Sequence, residues 1–304
     1  MAIESYIVDG VRSAIGLKDN PILGIRSDDL SASVIKSLIG RNLSYKGKVE
    51  DVILGCAFPE GPQGMLMAKG ASILSDLPDS VAAKVVNRFC GSSMDSVHQL
   101  SQAIISGDID NGIAGGVEDM FSVPMGGFNP SFNPILYKRD YYMGMGETAE
   151  NLASEMGISR IDQEEFSINS HKKALNAISE GKFADEIVSV EFNGITLESD
   201  DGPREPDVDK IKSLSPAFDA DGTITAATSS PVSIGSAALL LSNSKQDAQF
   251  KVVSRSVSGV DWTKMGMGPL PATEKALSKA GISMSDIDVI ELNEAFAAQS
   301  LYVI

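Results

Sequence analysis

Two stretches of this chain are written to one plan. Residues 5–11 read as a strand, a helical pattern carrying Leu30, Val34, Ile35 and Leu38 follows, and Asp51-Val52-Ile53-Leu54-Gly55 lies inside a second strand over 49–58. Residues 250–257, a helical run over 272–280 ended by Gly281, and Asp288-Val289-Ile290-Glu291-Leu292 repeat that order. A strand–helix–strand unit satisfies its backbone groups only inside a sheet, and its helical crossover calls for a buried, largely parallel one. The duplication therefore predicts an α/β architecture of two similar halves. The first copy continues through two more strands. The second stops at Ile304, inside a helix predicted to begin near Glu294, so the second repeat reads as incomplete.

Local signals fill in the first copy and what separates it from the second. Ser27 or Asp28 can cap the first helix, which closes at Gly40. Helices are expected over 64–74 and 91–106, and strands over 82–87 and 111–117. Residues 121–142, rich in Gly, Pro, Asn and aromatics, read as irregular structure lining something. A helix opens at Met145, and another at Asp162, where Glu165 three residues on makes a capping box, and runs to Gly181. A strand over 187–192, a long loop over 193–222 and strand-like runs over 223–226 and 235–241 complete the insertion. The resulting division is 1–120 as the first half, 121–243 as a loop domain with the return to the first half, and 244–304 as the incomplete second half.

Cys90 sits where the strand over 82–86 meets the next helix. A thiol there lies near the positive end of a helix dipole, among N–H groups without intrahelical partners, which favours the reactive thiolate. A small buried cysteine in an ordinary crossover fits that position equally well. Composition narrows the classes. A net charge of −16 with no basic stripe argues against nucleic-acid binding. Two cysteines are too few for a disulfide framework or a zinc site, and no apolar run approaches the length needed to span a bilayer. The expectation is a reduced, cytoplasmic protein with no metal and no membrane partner.

Read in order, the motifs resemble the thiolase family, and within it the 3-ketoacyl-CoA thiolases. They are Asn87-Arg88-Phe89-Cys90-Gly91-Ser92-Ser93-Met94, Gly115-Gly116-Val117-Glu118, Met145-Gly146-Glu147-Thr148-Ala149-Glu150-Asn151 and Pro216-Ala217-Phe218-Asp219. Residues 225–230, Gly268-Pro269-Leu270-Pro271-Ala272 and Asn293-Glu294-Ala295-Phe296-Ala297-Ala298-Gln299 continue the series. The resemblance implies a duplicated five-layered α-β-α-β-α core with an inserted loop domain, the second repeat here being incomplete. It also implies a homodimer or homotetramer, with a β-oxidation multienzyme complex as a further partner.

The implied chemistry is acyl transfer between 3-ketoacyl-CoA and CoA, with coenzyme A as co-substrate and no permanently bound cofactor. Cys90 matches the nucleophile that carries the acyl group as a thioester. Asn293 matches the asparagine that orients an oxyanion-hole water; an ordinary helix N-cap is its plainer reading. Ser230 matches a pantetheine contact and Phe218 an aromatic beside it, while Arg204 falls near a cation that meets the nucleotide. A strand-end hydroxyl, a core aromatic and a solvated loop charge are the respective alternatives.

The family's Gly-His-Pro histidine and its second, acid–base cysteine in a Cys-x-Gly motif have no match in these 304 residues. His98 stands eight residues past Cys90 on the same helix, about 12 Å along the axis. His171 reads as a surface residue and Cys56 as a buried structural one. A C-terminally truncated thiolase with little or no turnover is therefore expected. Three other readings stand beside it: a biosynthetic acetoacetyl-CoA thiolase, a non-catalytic thiolase-like acyl-CoA or lipid binder, and a condensing enzyme of the ketoacyl synthase type. The intact cysteine motif speaks against the second and the Asn293 and Glu118 motifs against the third.

Overall fold

Valine, isoleucine and leucine alternate along the strands of one large sheet, and the alternation decides what each face meets. The computed structural model describes residues 3–304. Its strands are β1 (Tyr6–Ser13), β2 (Asp51–Gly55), β3 (Ala82–Val86), β4 (Asn111–Asp119), β5 (Ile187–Val188), β6 (Val190–Phe192), β7 (Ile195–Leu197), β8 (Ile234–Ser242) and β9 (Phe250–Lys251). The order is β3-β2-β4-β8-β1-β5, with β9 also on β1, while β6 and β7 form a separate hairpin. Helices α1 (Ser27–Arg41), α2 (Met67–Leu74) and α3 (Ser92–Ser106) connect the early strands.

The chain divides into two compact units, and all these elements belong to the first, which comprises the chain to Pro130, Lys182–Gly202 and Val232–Val252. Val52 and Leu54 point into a cluster with Leu30, Val34, Ile35 and Leu38 of α1 and Met67, Ala68 and Ala71 of α2. Ile53 points the other way, against Leu100 and Ile104 of α3. Successive side chains of one strand thus feed two cores, which is the period-two rule of a strand covered on both faces.

Several expectations change. The sheet is mixed rather than largely parallel: β2 pairs parallel with β3 and β4, but β8 runs antiparallel to both β1 and β4. The insertion before β8 brings that strand back in the opposite sense, so no crossover helix constrains it. Ser27 lies inside α1, whose N-cap is Arg26 without a side-chain cap; Ser27 is buried. Residues 223–226 form no strand; Thr225 caps a 3-10 turn over Ala226–Thr228.

The second unit, Ser131–Gly181, Pro203–Pro231 and Val253–Ile304, is helical among its described residues. It holds α4 (Pro134–Tyr137), α5 (Met145–Met156), α6 (Arg160–Ser179), α7 (Val208–Ser213), α8 (Pro269–Ala280) and α9 (Ala297–Val303). Helix α6 starts two residues before the expected capping box. Its N-cap is Ser159, whose hydroxyl accepts from the Asp162 N–H. Ala149, Ala153, Ile224 and Ala298 form this unit's buried cluster.

The second copy of the repeat keeps its helix, α8, but loses its strands. Only Phe250–Lys251 is a strand, and residues 253–257 and 288–292 carry no ladder, with Val253, Val257, Val289 and Ile290 exposed. In the first copy β1 and β2 owe their ladders to β4 and β8, and no counterparts of those central strands exist here among the described residues. A β-prone run without neighbours has no backbone partners to make it a strand.

Candidate active site

The Cys90 turn is built by close packing beneath it. The start of α3 lies directly on the sheet at two glycines. A Cβ on Gly55 would meet the Ser92 carbonyl carbon at 2.3 Å and the Ser93 nitrogen at 2.4 Å, and one on Gly116 would meet Ser93 Oγ at 2.1 Å. With the helix held that low, the chain must climb sharply out of β3. Phe89 takes up the bend in the left-handed region, with φ +46, which is costly for an aromatic side chain. The turn is held by its own hydrogen bonds. Asn87 Oδ1 accepts the Phe89 N–H at 2.8 Å, and Ser92 Oγ accepts the Arg88 N–H at 2.9 Å while donating to the Phe89 carbonyl at 2.5 Å.

Cys90 itself is exposed, just before the Gly91 N-cap of α3. The position is as expected, but its electrostatics are not. Protein packed around the sulfur pushes the thiol above its ordinary value, and the Glu118 carboxylate adds to this, against a lowering by the residue's own N–H. The helix start therefore does not win; desolvation and a neighbouring negative charge do.

Glu118, at the end of β4, is the centre of a network that the motif reading left without a role. Its carboxylate accepts the Ala57 N–H at 2.6 Å and Gln63 Nε2 at 2.9 Å, with Cys56 Sγ at 3.7 Å. Gln63 Oε1 in turn accepts the Asp119 N–H at 2.6 Å. Cys56 is buried as expected, and burial together with this carboxylate pushes its thiol up to about 12. The sequence signal was Gly115-Gly116-Val117-Glu118 itself, an acid at the end of an apolar strand.

The other four candidates, Arg204, Phe218, Ser230 and Asn293, all lie in the second unit. Phe218 and Ser230 both meet the segment that follows Asn293. The Ser230 N–H donates to the Ala295 carbonyl at 3.0 Å and Ser229 bridges to Phe296, which pins the Thr225–Ser230 segment beside the Asn293–Phe296 segment. Phe218 meets Phe296 edge-on, ring centroids 5.9 Å apart, and lies flat on Gly146, where a Cβ would fall 2.2 Å from its ring. Phe218 is 44% exposed, so it is no core aromatic. Asn293 is exposed and is not a helix cap, because α9 begins four residues later with Phe296 as its N-cap. Its neighbour Glu294 is tied to α6 by Ser170 Oγ at 2.6 Å.

Arg204 is exposed but not isolated in its loop: its N–H donates to His171 Nδ1 at 3.4 Å. His171 is correspondingly half-buried rather than a free surface residue. Desolvation, then Arg204, lower its pKa, while Glu294 raises it. The cluster of Ser170, His171, Arg204 and Glu294 was not legible in sequence, because its members are separated by up to 124 positions.

Comparison with known proteins bears on the family and the fold. Residues 5–245 match the family described as thiolase, N-terminal domain, and residues 246–304 the one described as thiolase, C-terminal domain. The 3-ketoacyl-CoA thiolase of Bacillus subtilis is 40% identical over 99% of this chain and 83% of its own length. That of a Marinomonas species is 42% identical over 98% and 80%. The crystal structure of the Bacillus anthracis acetyl-CoA acetyltransferase superposes with a TM-score of 0.89 at 32% identity, covering 99% of this chain and 82% of that one. With a duplicated plan, a cysteine raised on a strained turn and matches over its whole length, the chain belongs to the thiolase family.

Proposed function

We propose that the chain performs the acyl transfer of a 3-ketoacyl-CoA thiolase, with Cys90 as acyl carrier. The observation that supports it best is the Cys90 turn: an exposed thiol directly before the start of α3, on a backbone bent out of β3. The thiolate attacks the 3-keto carbon and the bond between carbons 2 and 3 breaks. Its electron pair stays on carbon 2, which takes a proton and leaves as acetyl-CoA. The thiol of a second CoA then displaces Cys90 from the acyl carbon. A thioester suits this step because exchange between two thiols is nearly thermoneutral, where an oxygen ester would trap the acyl group. N–H groups at the start of α3 supply donors for the oxyanion.

Asn293 serves in this reading as an oxyanion-hole residue, orienting a water toward the thioester carbonyl. Phe218 and Ser230 flank the pantetheine arm and Arg204 meets the nucleotide phosphates. CoA is the co-substrate. The partner proposed is a second copy of the chain, which fits the terminal strand β3, whose outer edge carries no pairing among the described residues. Relatives named 3-ketoacyl-CoA thiolase at 40–42% identity favour the degradative substrate over the two-acetyl condensation.

The test is trapping. Incubation with a 3-ketoacyl-CoA, quenching in acid and peptide mass spectrometry should find one acyl group, on Cys90, and none after Cys90→Ala. Acylation that survives Cys90→Ala would overturn the reading. Thiolysis of acetoacetyl-CoA by these 304 residues should be slow, since neither His98 nor His171 stands in the family's Gly-His-Pro motif. Full-rate thiolysis of acetoacetyl-CoA would sink that part.

A further inference from the structure

We infer that Asn87 and Glu118 are positioning residues for Cys90, joined to it by one chain of hydrogen bonds through the backbones of Ala57 and Phe89. The links are short and consecutive. Glu118 Oε2 holds the Ala57 N–H at 2.6 Å, the Ala57 carbonyl accepts Asn87 Nδ2 at 2.8 Å, and Asn87 Oδ1 accepts the Phe89 N–H at 2.8 Å. The last link acts on the residue held at φ +46, directly before Cys90. A left-handed aromatic residue persists only where its surroundings over-determine it. The tilted ring contact of Phe58 with Phe89, centroids 5.9 Å apart, adds a second tie between the same two segments.

The far end of the chain is equally fixed. Gln63 is fully buried and donates to Glu118 and to the Phe58 carbonyl, so the carboxylate cannot swing away. Asn87 therefore sets how Cys90 is presented, and Glu118 sets both the floor beneath it and the charge it feels. Other titratable and charged groups around the turn are Cys56 at the end of β2 and the Arg88–Asp95 pair, 3.3 Å apart, on the turn and α3. The inference rests on Cys90 as the acyl carrier, but its test reads the thiol alone.

Alkylation of Cys90 by iodoacetamide is followed across pH by peptide mass spectrometry in the full chain, in Glu118→Gln, Asn87→Ala and the double variant. Glu118→Gln keeps an acceptor for Ala57 and removes the charge, so its rate at pH 7 should rise at least about twofold, with the midpoint moved to lower pH. Asn87→Ala frees the turn to drift from Glu118, so it should raise the rate in the parent and leave the rate of the Glu118→Gln background unchanged, a non-additive pair. Equal effects of Asn87→Ala in both backgrounds, or a Glu118→Gln profile that coincides with the parent, would overturn the inference. Cys56 staying unlabelled reports the native fold. Should Glu118→Gln not fold, Asn87→Ala decides alone, and an unmoved midpoint overturns. Failure of acyl trapping on Cys90 would fail the function and not this inference.

Discussion

At the scale of the residue, the two cysteines divide the possible chemistry between them. Both feel Glu118, but Cys56 is buried against the α1–α2 face of the sheet and Cys90, though partly desolvated, is exposed. Only the exposed thiol can reach a substrate carbonyl. Cys56 carries a stability signature instead. Its thiol ionises at about 12 in the fold against an ordinary 9.0, so between those values the unfolded chain holds fewer protons than the native one. Stability should therefore fall as pH rises from about 9 towards 12. Cys56→Ala should flatten that slope in urea titrations at several pH values; an unchanged slope would place the effect elsewhere. Cys90 was legible in sequence as the small-residue break between a strand and a helix. Its raised pKa was not, because the protein that desolvates the sulfur is set by tertiary packing and Glu118, 28 positions away, reaches it only through sheet pairing.

At the scale of the element, the decisive feature is how α3 meets the sheet. Gly55 and Gly116 lie side by side on β2 and β4, in register with one another, and the first turn of α3 occupies the space their side chains would need. Gly55→Ala would drive a Cβ into backbone of Ser92 and Ser93. It should cost about 1–3 kcal/mol in urea unfolding, as overpacking of a tight core does, and slow acylation of Cys90. Gly116→Ala meets mainly the Ser93 hydroxyl, so Ser93→Ala should recover part of its loss. If both glycine variants unfold like the parent, the low seat of α3 is not what builds the turn. Strand and helix positions between residues 5 and 119 followed from hydrophobic period and fell within a few residues of the observed bounds, whereas residues 223–226, 253–257 and 288–292 form no strand. The direction of β8 did not follow from that period, because alternation gives a strand its faces and says nothing of its sense.

At the scale of the whole molecule, the two copies of the repeat differ in what surrounds them. β4 and β8 are central, with partners on both edges, whereas residues 253–257 lie along α8 with hydrogen bonds from Ser254 Oγ to the Ala276 carbonyl and from Lys275 and Lys279 to backbone carbonyls of 257 and 255, and residues 288–292 form no strand. Amide exchange should separate them sharply. Protons of β4 and β8 should leave only by global unfolding, and those of 253–257 and 288–292 by local opening, orders of magnitude faster. Equal protection would mean that the second copy is paired. No helix is long and apolar enough to cross a membrane among the described residues.

The sequence by itself determined the duplicated α/β plan, the strand-to-helix turn at Cys90 and the order of motifs that marks the family. All three are local: they rest on period, on small residues at a bend and on spacing along the chain. Only the tertiary structure decided which way β8 runs, which segments of the second copy become strands, and what charge faces the thiol. Those depend on neighbours far apart in sequence, because a backbone amide becomes part of a strand, and a carboxylate shifts a thiol, only when folding brings the partner within a few ångströms.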